Sequence, residues 1–264
     1  MCRLAVLVAD RPRPLSALLY DAPHSLERQS YAPREMIAGT VNVDGTGVAW
    51  WPEREDEPLR YVTERPPWSD PNLPQLARRL RGRVQLACVR SATPGLAFGA
   101  AAVQPFAAGR IAGALNGFIE GYRDGMERQL ALRLPEAWFG RLASGSDASS
   151  VFLLAASRAG GEDPEALARA AASAVSETAA LCRRDGRAAS LNLVLVTGRG
   201  VAAVRAAEGL PPNTLYVRLE KGCALEVASE PTDPGGEWRS VPPGRVVFGT
   251  ELGVRTVPLE EFGS

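Results

Sequence analysis

Residues 1–8 have the sequence Met-Cys-Arg-Leu-Ala-Val-Leu-Val, a largely apolar run at the start of the chain. A short run of this kind, closed by charged or turn-forming residues, predicts a β-strand. Asp10 and Arg11 interrupt the run, which leaves it too short for a signal peptide or a membrane-spanning helix. We therefore predict a strand at Leu4–Val8 and expect a cytoplasmic protein.

Similar apolar runs recur on both sides of a helical middle section. They predict strands at Val48–Trp51, Val84–Val89, Arg110–Leu115, Leu191–Val196, Leu215–Leu219, Ala224–Ala228 and Val246–Phe248. Helices are predicted at Phe118–Leu134, at Asp147–Arg158, and after Asp163 as N-cap with Pro164 at the first helical position. In this last helix one apolar stripe indicates a face packed on a core; it comprises Leu167, Ala170, Ala171, Ala174, Val175, Thr178, Leu181 and Cys182. The order of elements predicts an α+β fold in which helices cover sheets packed face to face.

The composition is that of an ordinary globular protein, with 45% hydrophobic residues and 30 acidic side chains balancing 30 basic ones over 264 residues. Without net charge or a block of like charges, we expect neither nucleic acid nor a membrane as partner, and a small-molecule substrate instead. The chain shows no internal repeat and no linker, so we predict a single domain over residues 1–264. The sequence leaves open whether the protein forms a homo-oligomer.

Four cysteines stand far apart and His24 is the only histidine, which does not provide the ligands of a usual zinc site. We therefore expect no metal and no cofactor. Cys88, Cys182 and Cys223 are interpreted as small buried hydrophobic residues in a reducing compartment. We interpret His24 as structural rather than catalytic.

Cys2 differs from the other cysteines because its small side chain permits removal of Met1. The residue would then carry both a thiol and a free α-amine. A thiolate is a strong nucleophile, and an α-amine with a pKa of about 8 is suited to act as its general base. Many chains begin Met-Cys, so this signal is weak when taken alone.

Two further clusters lie at the predicted ends of strands, and each has a simpler structural interpretation. In Val89-Arg90-Ser91-Ala92-Thr93, Arg90 could present its planar guanidinium to a carboxylate or could be a surface arginine. In Leu115-Asn116-Gly117, the Asn116 amide and the unobstructed N–H of Gly117 would suit an oxyanion hole. Asn-Gly is equally a common turn dipeptide.

Two more clusters have the same double interpretation. Asp44-Gly45 precedes an apolar run and is typical of a tight turn that enters a strand. Ser146-Asp147 begins a predicted helix, where Ser146 would act as N-cap. Asp147 could in addition direct its carboxylate at the ammonium group of a ligand.

Five features resemble the glutaminase domain of class II glutamine amidotransferases in their order and approximate spacing. They are Cys2, the Asp-Gly turn, Val-Arg-Ser-Ala-Thr, Asn-Gly and Ser-Asp. The resemblance implies an N-terminal-nucleophile fold, a four-layer αββα sandwich. It implies Cys2 as nucleophile and Asn116 with Gly117 as oxyanion hole. It also implies that Arg90 and Asp147 bind the α-carboxylate and α-ammonium of a γ-glutamyl group.

A narrower resemblance extends over the whole chain and points to the amidohydrolases of ergothioneine biosynthesis, which remove glutamate from γ-glutamyl-hercynylcysteine S-oxide. It rests on Asp21–Leu26, Gln29–Arg34, Gly39–Asn42, Val89–Thr93, Ala228–Pro231, Trp238 and Val241–Gly244. Because the resemblance accounts for the chain without a synthase domain, hydrolysis is the preferred reaction. A glutaminase subunit that supplies ammonia to a separate synthase is the alternative.

Four residues depart from the pattern common in the superfamily: Thr46, Leu115, Ala148 and Ser149. None of them removes the nucleophile, the oxyanion donors or the two charged residues for the head group, so we expect activity. They motivate a third interpretation, a non-catalytic relative that binds a metabolite.

Overall fold

The computed structural model describes residues 2–37, 39–53, 55–91, 99–142 and 144–262. Its strands, numbered in chain order, are β1 Arg3–Pro14, β2 Thr46–Trp51, β3 Leu59–Thr63, β4 Arg81–Val89, β5 Phe106–Ala108, β6 Ile111–Ile119, β7 Ala189–Thr197, β8 Gly200–Arg205, β9 Ala207–Glu208, β10 Tyr216–Glu220, β11 Ala224–Ala228, β12 Arg239–Ser240, β13 Arg245–Thr250 and β14 Gly253–Pro258. Its helices are α1 Leu26–Tyr31, α2 Leu73–Arg79, α3 Glu127–Ala131, α4 Glu136–Phe139, α5 Asp147–Ser157 and α6 Pro164–Arg184. Short helical turns lie at Ala17–Asp21, Pro67–Ser69, Ala100–Ala102, Tyr122–Met126 and Leu259–Phe262.

The strands form two antiparallel sheets. The first has the order β12-β10-β11-β1-β4-β2-β3, so β1 is central and pairs with β11 on one side and β4 on the other. The second has the order β14-β13-β8-β7-β6-β5, with β9 paired to β7. The strands predicted from the sequence are confirmed, most of them with shifted ends, whereas β3, β5, β8, β9, β12 and β14 were not predicted.

Helices cover the outer face of each sheet. On the second sheet, α5 and α6 bury Phe152 and Leu167, and on the first sheet α1 and α2 bury Leu26 and Leu73. The inner faces of the sheets meet in an apolar cluster that includes Leu4, Val6, Leu86, Ala114, Val194 and Val227. This arrangement of helices, sheet, sheet and helices confirms the predicted αββα sandwich and its α+β class.

The predicted starts of the two long helices are confirmed. The Ser146 hydroxyl accepts a hydrogen bond from the Ser149 N–H of α5 at 3.1 Å, and Asp163 caps α6 in the same way, with Pro164 following it. The apolar stripe predicted for α6 is buried along its length and packs on the second sheet. Among the described helices, none is long and apolar enough to cross a lipid bilayer.

The helix predicted at Phe118–Leu134 is wrong at its start. Strand β6 continues through Ile119, with Phe118 paired to Ser190 and Ile119 paired to Ala189 of β7. Cross-strand pairing therefore prevails over the helical pattern in the first residues of that segment. As a consequence Asn116-Gly117 lies inside a strand, not at its end, so the turn interpretation of this dipeptide is also wrong.

Candidate active site

Cys2 precedes β1 and directs its side chain into the space between the two sheets. Leu4, Val6 and Val8 of β1 face the second sheet, and side chains alternate along a strand, so Cys2 shares their face. The residue is only 8% exposed. Its Sγ lies 3.9 Å from the carbonyl oxygen of Ser91, just beyond β4. The thiol is thus held at one end of the sandwich, between the layers.

Gln104, which no sequence pattern singled out, connects this thiol to the second sheet. Its Nε2 lies 3.7 Å from Cys2 Sγ and donates to the Leu115 carbonyl at 3.0 Å. Its Oε1 accepts from the Leu115 N–H at 2.6 Å. Strand β5 begins only at Phe106. The Gln104 side chain therefore takes the place of a neighbouring strand in pairing with this part of β6. The available signal, one glutamine within an apolar segment, is not specific for a site.

Asn116 lies on β6 with its side chain toward the first sheet, on the same face as Ala114. Its Nδ2 donates to Ser229 Oγ at 3.2 Å, and the same oxygen accepts from the Leu4 N–H of β1 at 3.1 Å. One hydroxyl therefore joins the two sheets. This connection brings the Asn116 amide next to the strand that carries Cys2.

Gly117 occupies a point where two strands approach closely. A Cβ built on it would lie 1.8 Å from the carbonyl oxygen of Ser190 on β7. No side chain fits at that distance without moving backbone, since van der Waals contact requires more than about 3 Å. Glycine is therefore required here by the packing of β6 on β7, which keeps the Gly117 backbone beside Asn116.

Arg90 follows β4 and lies beside Cys2 at the same end of the first sheet. The antiparallel register pairs Arg3 of β1 with Val89 of β4, so the residues next in line are Cys2 and Arg90. Arg90 is buried, with 7% of its surface exposed. Of the motif that suggested this residue, Ala92 and Thr93 lie outside the described residues.

The Asp44-Gly45 segment fixes the backbone of Arg90. The Arg90 N–H donates to the Gly45 carbonyl at 2.8 Å, and the Arg90 carbonyl accepts from the Asp44 N–H at 3.0 Å. Gly45 has φ of +140°, and a Cβ on it would lie 2.7 Å from a methyl of Val103. The predicted entry into a strand is confirmed, but Asp44 lies in a bend and not in a tight turn. The segment also positions a buried arginine.

Asp147 is the first residue of α5 and is 4% exposed. Its Oδ2 accepts from the Ile119 N–H at 3.0 Å, at the end of β6, and its Oδ1 accepts from the Ala148 N–H at 2.8 Å. Burial raises the pKa of this carboxyl, while those backbone N–H groups and the charge of Arg90 favour its ionised form. The helix N-terminus adds a favourable field for a carboxylate.

A buried ion pair lies directly behind Cys2 on the outer face of the first sheet. Arg3 and Glu230 approach to 3.5 Å and are both inaccessible to solvent. Glu230 also accepts from His24 Nε2 at 2.8 Å and from the N–H groups of Arg34 and Glu35. Burial alone would raise the pKa of Glu230, but these three hydrogen bonds and Arg3 hold it below its usual value. The structural interpretation of His24 agrees with this contact.

The structure thus brings Cys2, Arg90, Asn116, Gly117 and Asp147 to the same end of the sandwich. Cys2 and Arg90 lie beside strand ends, Asn116 and Gly117 lie within β6, and Asp147 begins α5. Gln104 and Ser229 belong to the same cluster. Within the described ranges, no group of three or more His, Cys, Asp or Glu side chains is arranged to hold a metal ion. Cys88 and Cys182 are buried, whereas Cys223 is only half-buried.

Comparison with known proteins identifies the family. No family model matches the chain. A curated protein of Mycobacterium tuberculosis, the γ-glutamyl-hercynylcysteine sulfoxide hydrolase, is 30% identical over 246 residues, which cover 93% of this chain and 92% of that protein. The chain belongs to this family of hydrolases. The protein of the same name from Mycolicibacterium smegmatis is 37% identical over 120 residues, which span 46% of this chain and about half, 52%, of that relative.

Solved structures of glutamine amidotransferases share the fold of this chain. A glutamine aminotransferase class-II domain protein from Silicibacter pomeroyi superposes with a TM-score of 0.69 at 23% identity, over 97% of this chain and 99% of that one. At this identity the likeness shows the fold, an αββα sandwich of the N-terminal-nucleophile hydrolase type. The curated relatives support a general amidohydrolase role for the chain.

Proposed function

We propose that this chain hydrolyses a γ-glutamyl amide, with Cys2 as nucleophile once Met1 has been removed. The observation that carries the proposal is the position of a buried thiol beside a buried arginine, a buried asparagine and a buried aspartate at one end of the sandwich: Cys2, Arg90, Asn116 and Asp147. Burial of a charged or polar group costs free energy unless the group has a partner. A ligand that carries a carboxylate, an ammonium and a carbonyl group matches the cation, the anion and the amide that these residues bring together.

The head group of a γ-glutamyl substrate matches the two charged side chains. It carries an α-carboxylate and an α-ammonium, so a selective site needs one fixed cation and one fixed anion. Arg90 would bind the carboxylate and Asp147 the ammonium. The negative charge of Asp147 is available for this purpose because backbone N–H groups of Ile119 and Ala148 stabilise it.

The reaction would proceed by acyl transfer. The α-amine of Cys2 removes the thiol proton, and the thiolate attacks the γ-carbonyl carbon. The Asn116 amide and the Gly117 N–H would donate to the oxyanion that forms. Cleavage of the C–N bond releases the amine, which takes the proton from the ammonium of Cys2. Water then attacks the thioester, releases glutamate and restores the thiol.

For the substrate, we infer γ-glutamyl-hercynylcysteine S-oxide in ergothioneine biosynthesis. The support is the named activity of the M. tuberculosis relative, which aligns along nearly the full length of both chains. Glutamate and hercynylcysteine S-oxide would be the products.

Replacement of the nucleophile tests the mechanism. Cys2→Ala should fold normally and lose turnover of the γ-glutamyl substrate, while Cys223→Ala, which removes a half-buried thiol outside the cluster, should retain it. An intact mass without Met1 is expected for the active protein. Undiminished turnover by Cys2→Ala would rule out the proposed mechanism.

A competition between two substrates tests the assignment of the leaving group. L-Glutamine and γ-glutamyl-hercynylcysteine S-oxide are mixed at equal concentrations. Because both release glutamate, hydrolysis of the first is measured from ammonia and hydrolysis of the second from hercynylcysteine S-oxide. We expect a higher kcat/KM for the sulfoxide conjugate. A clear preference for glutamine would instead favour a glutaminase subunit that supplies ammonia to a separate synthase.

A further inference from the structure

Asn213 makes two hydrogen bonds to the asparagine of the proposed oxyanion hole. It lies in the segment that connects β9 of the second sheet to β10 of the first, and it is 1% exposed. Its Nδ2 donates to the Asn116 backbone carbonyl at 3.1 Å and to the Asn116 Oδ1 at 3.2 Å. A single amide group therefore contacts the main chain and the side chain of Asn116 together.

These contacts determine which way the Asn116 amide points. A backbone carbonyl only accepts hydrogen bonds, so the group of Asn213 that faces Asn116 must be its NH2. That NH2 then requires an acceptor, which assigns Oδ1 of Asn116 to the same side. The Asn116 NH2 is consequently directed the other way, where it donates to Ser229 Oγ at 3.2 Å beside the strand of Cys2.

A second asparagine holds Asn213 in place. Asn192 of β7 pairs with Asn116 of β6 in the sheet register. Its Nδ2 donates to the backbone carbonyls of Asn213 and Thr214 at 2.9 and 3.2 Å. It thus fixes the backbone of the connecting segment, whereas the described contacts of its side chain include none with the Asn116 amide.

Resting on the proposed function, we propose that Asn213 is a positioning residue that orients the Asn116 amide so that its NH2, and not its oxygen, faces the oxyanion. An amide turned by 180° would present a partial negative charge to the developing negative charge. The cost falls on the transition state, because the γ-glutamyl head group is bound by other residues, Arg90 and Asp147. Asn213 thereby acts on the chemical step without contacting the substrate.

The test is Asn213→Asp, assayed with γ-glutamyl-p-nitroanilide, which carries the same head group and a chromogenic leaving group. A carboxylate at this position cannot donate to Asn116 and repels its Oδ1. We expect kcat to fall by about 100-fold, the loss typical for an oxyanion donor, with KM within about twofold of the unmodified protein. Relative to the unmodified protein at the same pH, acidification should partly restore kcat, since a protonated carboxyl donates one hydrogen bond.

Gln85→Glu is the matched control, because it is the same change of amide to carboxylate at a buried side chain. The Gln85 Nε2 also donates to two backbone carbonyls, those of Arg13 and Gly82, but it lies outside the cluster around Cys2. Gln85→Glu should lower the melting temperature while retaining most of kcat. Asn213→Ala provides a second measurement should the aspartate variant not fold. It removes the donors without adding repulsion, so kcat should fall by about tenfold, less than in Asn213→Asp.

The outcomes separate this inference from the proposed function. If Cys2→Ala abolishes turnover but Asn213→Asp loses no more kcat than Gln85→Glu, the positioning role is refuted and the proposed function stands. The positioning role is equally refuted if Asn213→Ala changes KM as much as kcat and both changes follow its loss of stability. If turnover of the nitroanilide does not depend on Cys2, the positioning role and the proposed function are both refuted.

Discussion

Arg3 and Glu230 form an ion pair in which neither side chain reaches solvent, with Nη1 and Oε1 3.5 Å apart. The pair joins the residue after Cys2 to the residue after Ser229, so it lies behind both the thiol and the hydroxyl that binds Asn116. Burial lowers the pKa of Arg3, and the charge of Glu230 opposes that effect. The position of the candidate nucleophile therefore depends on a charged group that does not face the substrate.

Removing the charge of Glu230 should destabilise the fold strongly. Glu230→Gln leaves Arg3 as an uncompensated buried cation, and breaking such a pair costs about 3–5 kcal/mol. The free energy of unfolding from urea titration measures the effect. Glu226→Gln is the control, since its partner Arg218 and Glu226 itself are both partly exposed. A difference below about 1 kcal/mol between the two variants would contradict the expectation.

The same carboxylate predicts a pH dependence of stability. Its pKa is lower in the folded protein than in the unfolded chain, where a glutamate titrates at about 4.3. The stabilisation by Glu230 is therefore complete above the unfolded value and is lost as the pH falls through the folded value. The free energies of unfolding of the unmodified protein and of Glu230→Gln should converge on acidification below pH ~4. If the difference in free energy of unfolding between the two proteins stays constant on acidification, the titration of Glu230 is excluded as its origin.

Alanine at position 117 should force β6 away from β7. Its Cβ would meet the Ser190 carbonyl, and overpacking against backbone costs about 3 kcal/mol. We also expect kcat to fall because the Gly117 N–H moves away from the oxyanion. Gly140→Ala has open space around the new Cβ and should change neither property. Thermal unfolding and turnover of both variants provide the check, and an unaffected Gly117→Ala protein would argue against the close approach.

Asp147→Asn should weaken substrate binding more than the chemical step. Loss of a charged hydrogen bond corresponds to a rise in KM of about 10- to 100-fold, with kcat less affected. Asp163→Asn, at the N-cap of the other long helix, should leave KM unchanged. Equal KM values for the two variants would remove Asp147 from the head-group site.

The raised pKa of Asp147 adds a pH effect on binding. As the pH falls through that raised value, the carboxyl gains a proton and loses its attraction for the α-ammonium. KM should therefore increase on acidification at a higher pH than an ordinary aspartate would require. The profile of KM against pH measures this, and its acid limb should be absent in Asp147→Asn.

Local patterns in the sequence were sufficient to predict the elements that depend on neighbours in the chain. Strand β1 follows from its apolar run, and the start of α6 follows from Asp163 and Pro164. The sequence also indicated Cys2, Arg90, Asn116, Gly117 and Asp147, whose clustering at one end of the sandwich the structure shows. Their catalytic and binding roles stay predictions.

The features of the fold and of the site that could not be predicted depend on contacts between residues distant in the chain. Phe118 and Ile119 were assigned to a helix because their pairing with Ser190 and Ala189 has no local signature. Ser229 acts on Leu4 across 225 positions, and Asn213 acts on Asn116 across 97. A buried serine or asparagine of this kind has an ordinary sequence context, so its role becomes visible only when the two sheets are assembled.

Cys2 extends from one sheet and Asn116 from the other, so the layer of apolar side chains between the sheets acts as a spacer for the reaction. Leu4 and Ala114 belong to that layer, and each is the next residue on the same face of its strand as the nucleophile or the amide. A larger or smaller side chain there would lengthen or shorten the distance between the attacking sulfur and the oxyanion donor. The separation of the proposed catalytic groups can thus be changed by substitutions in the hydrophobic interior alone, without altering a polar residue.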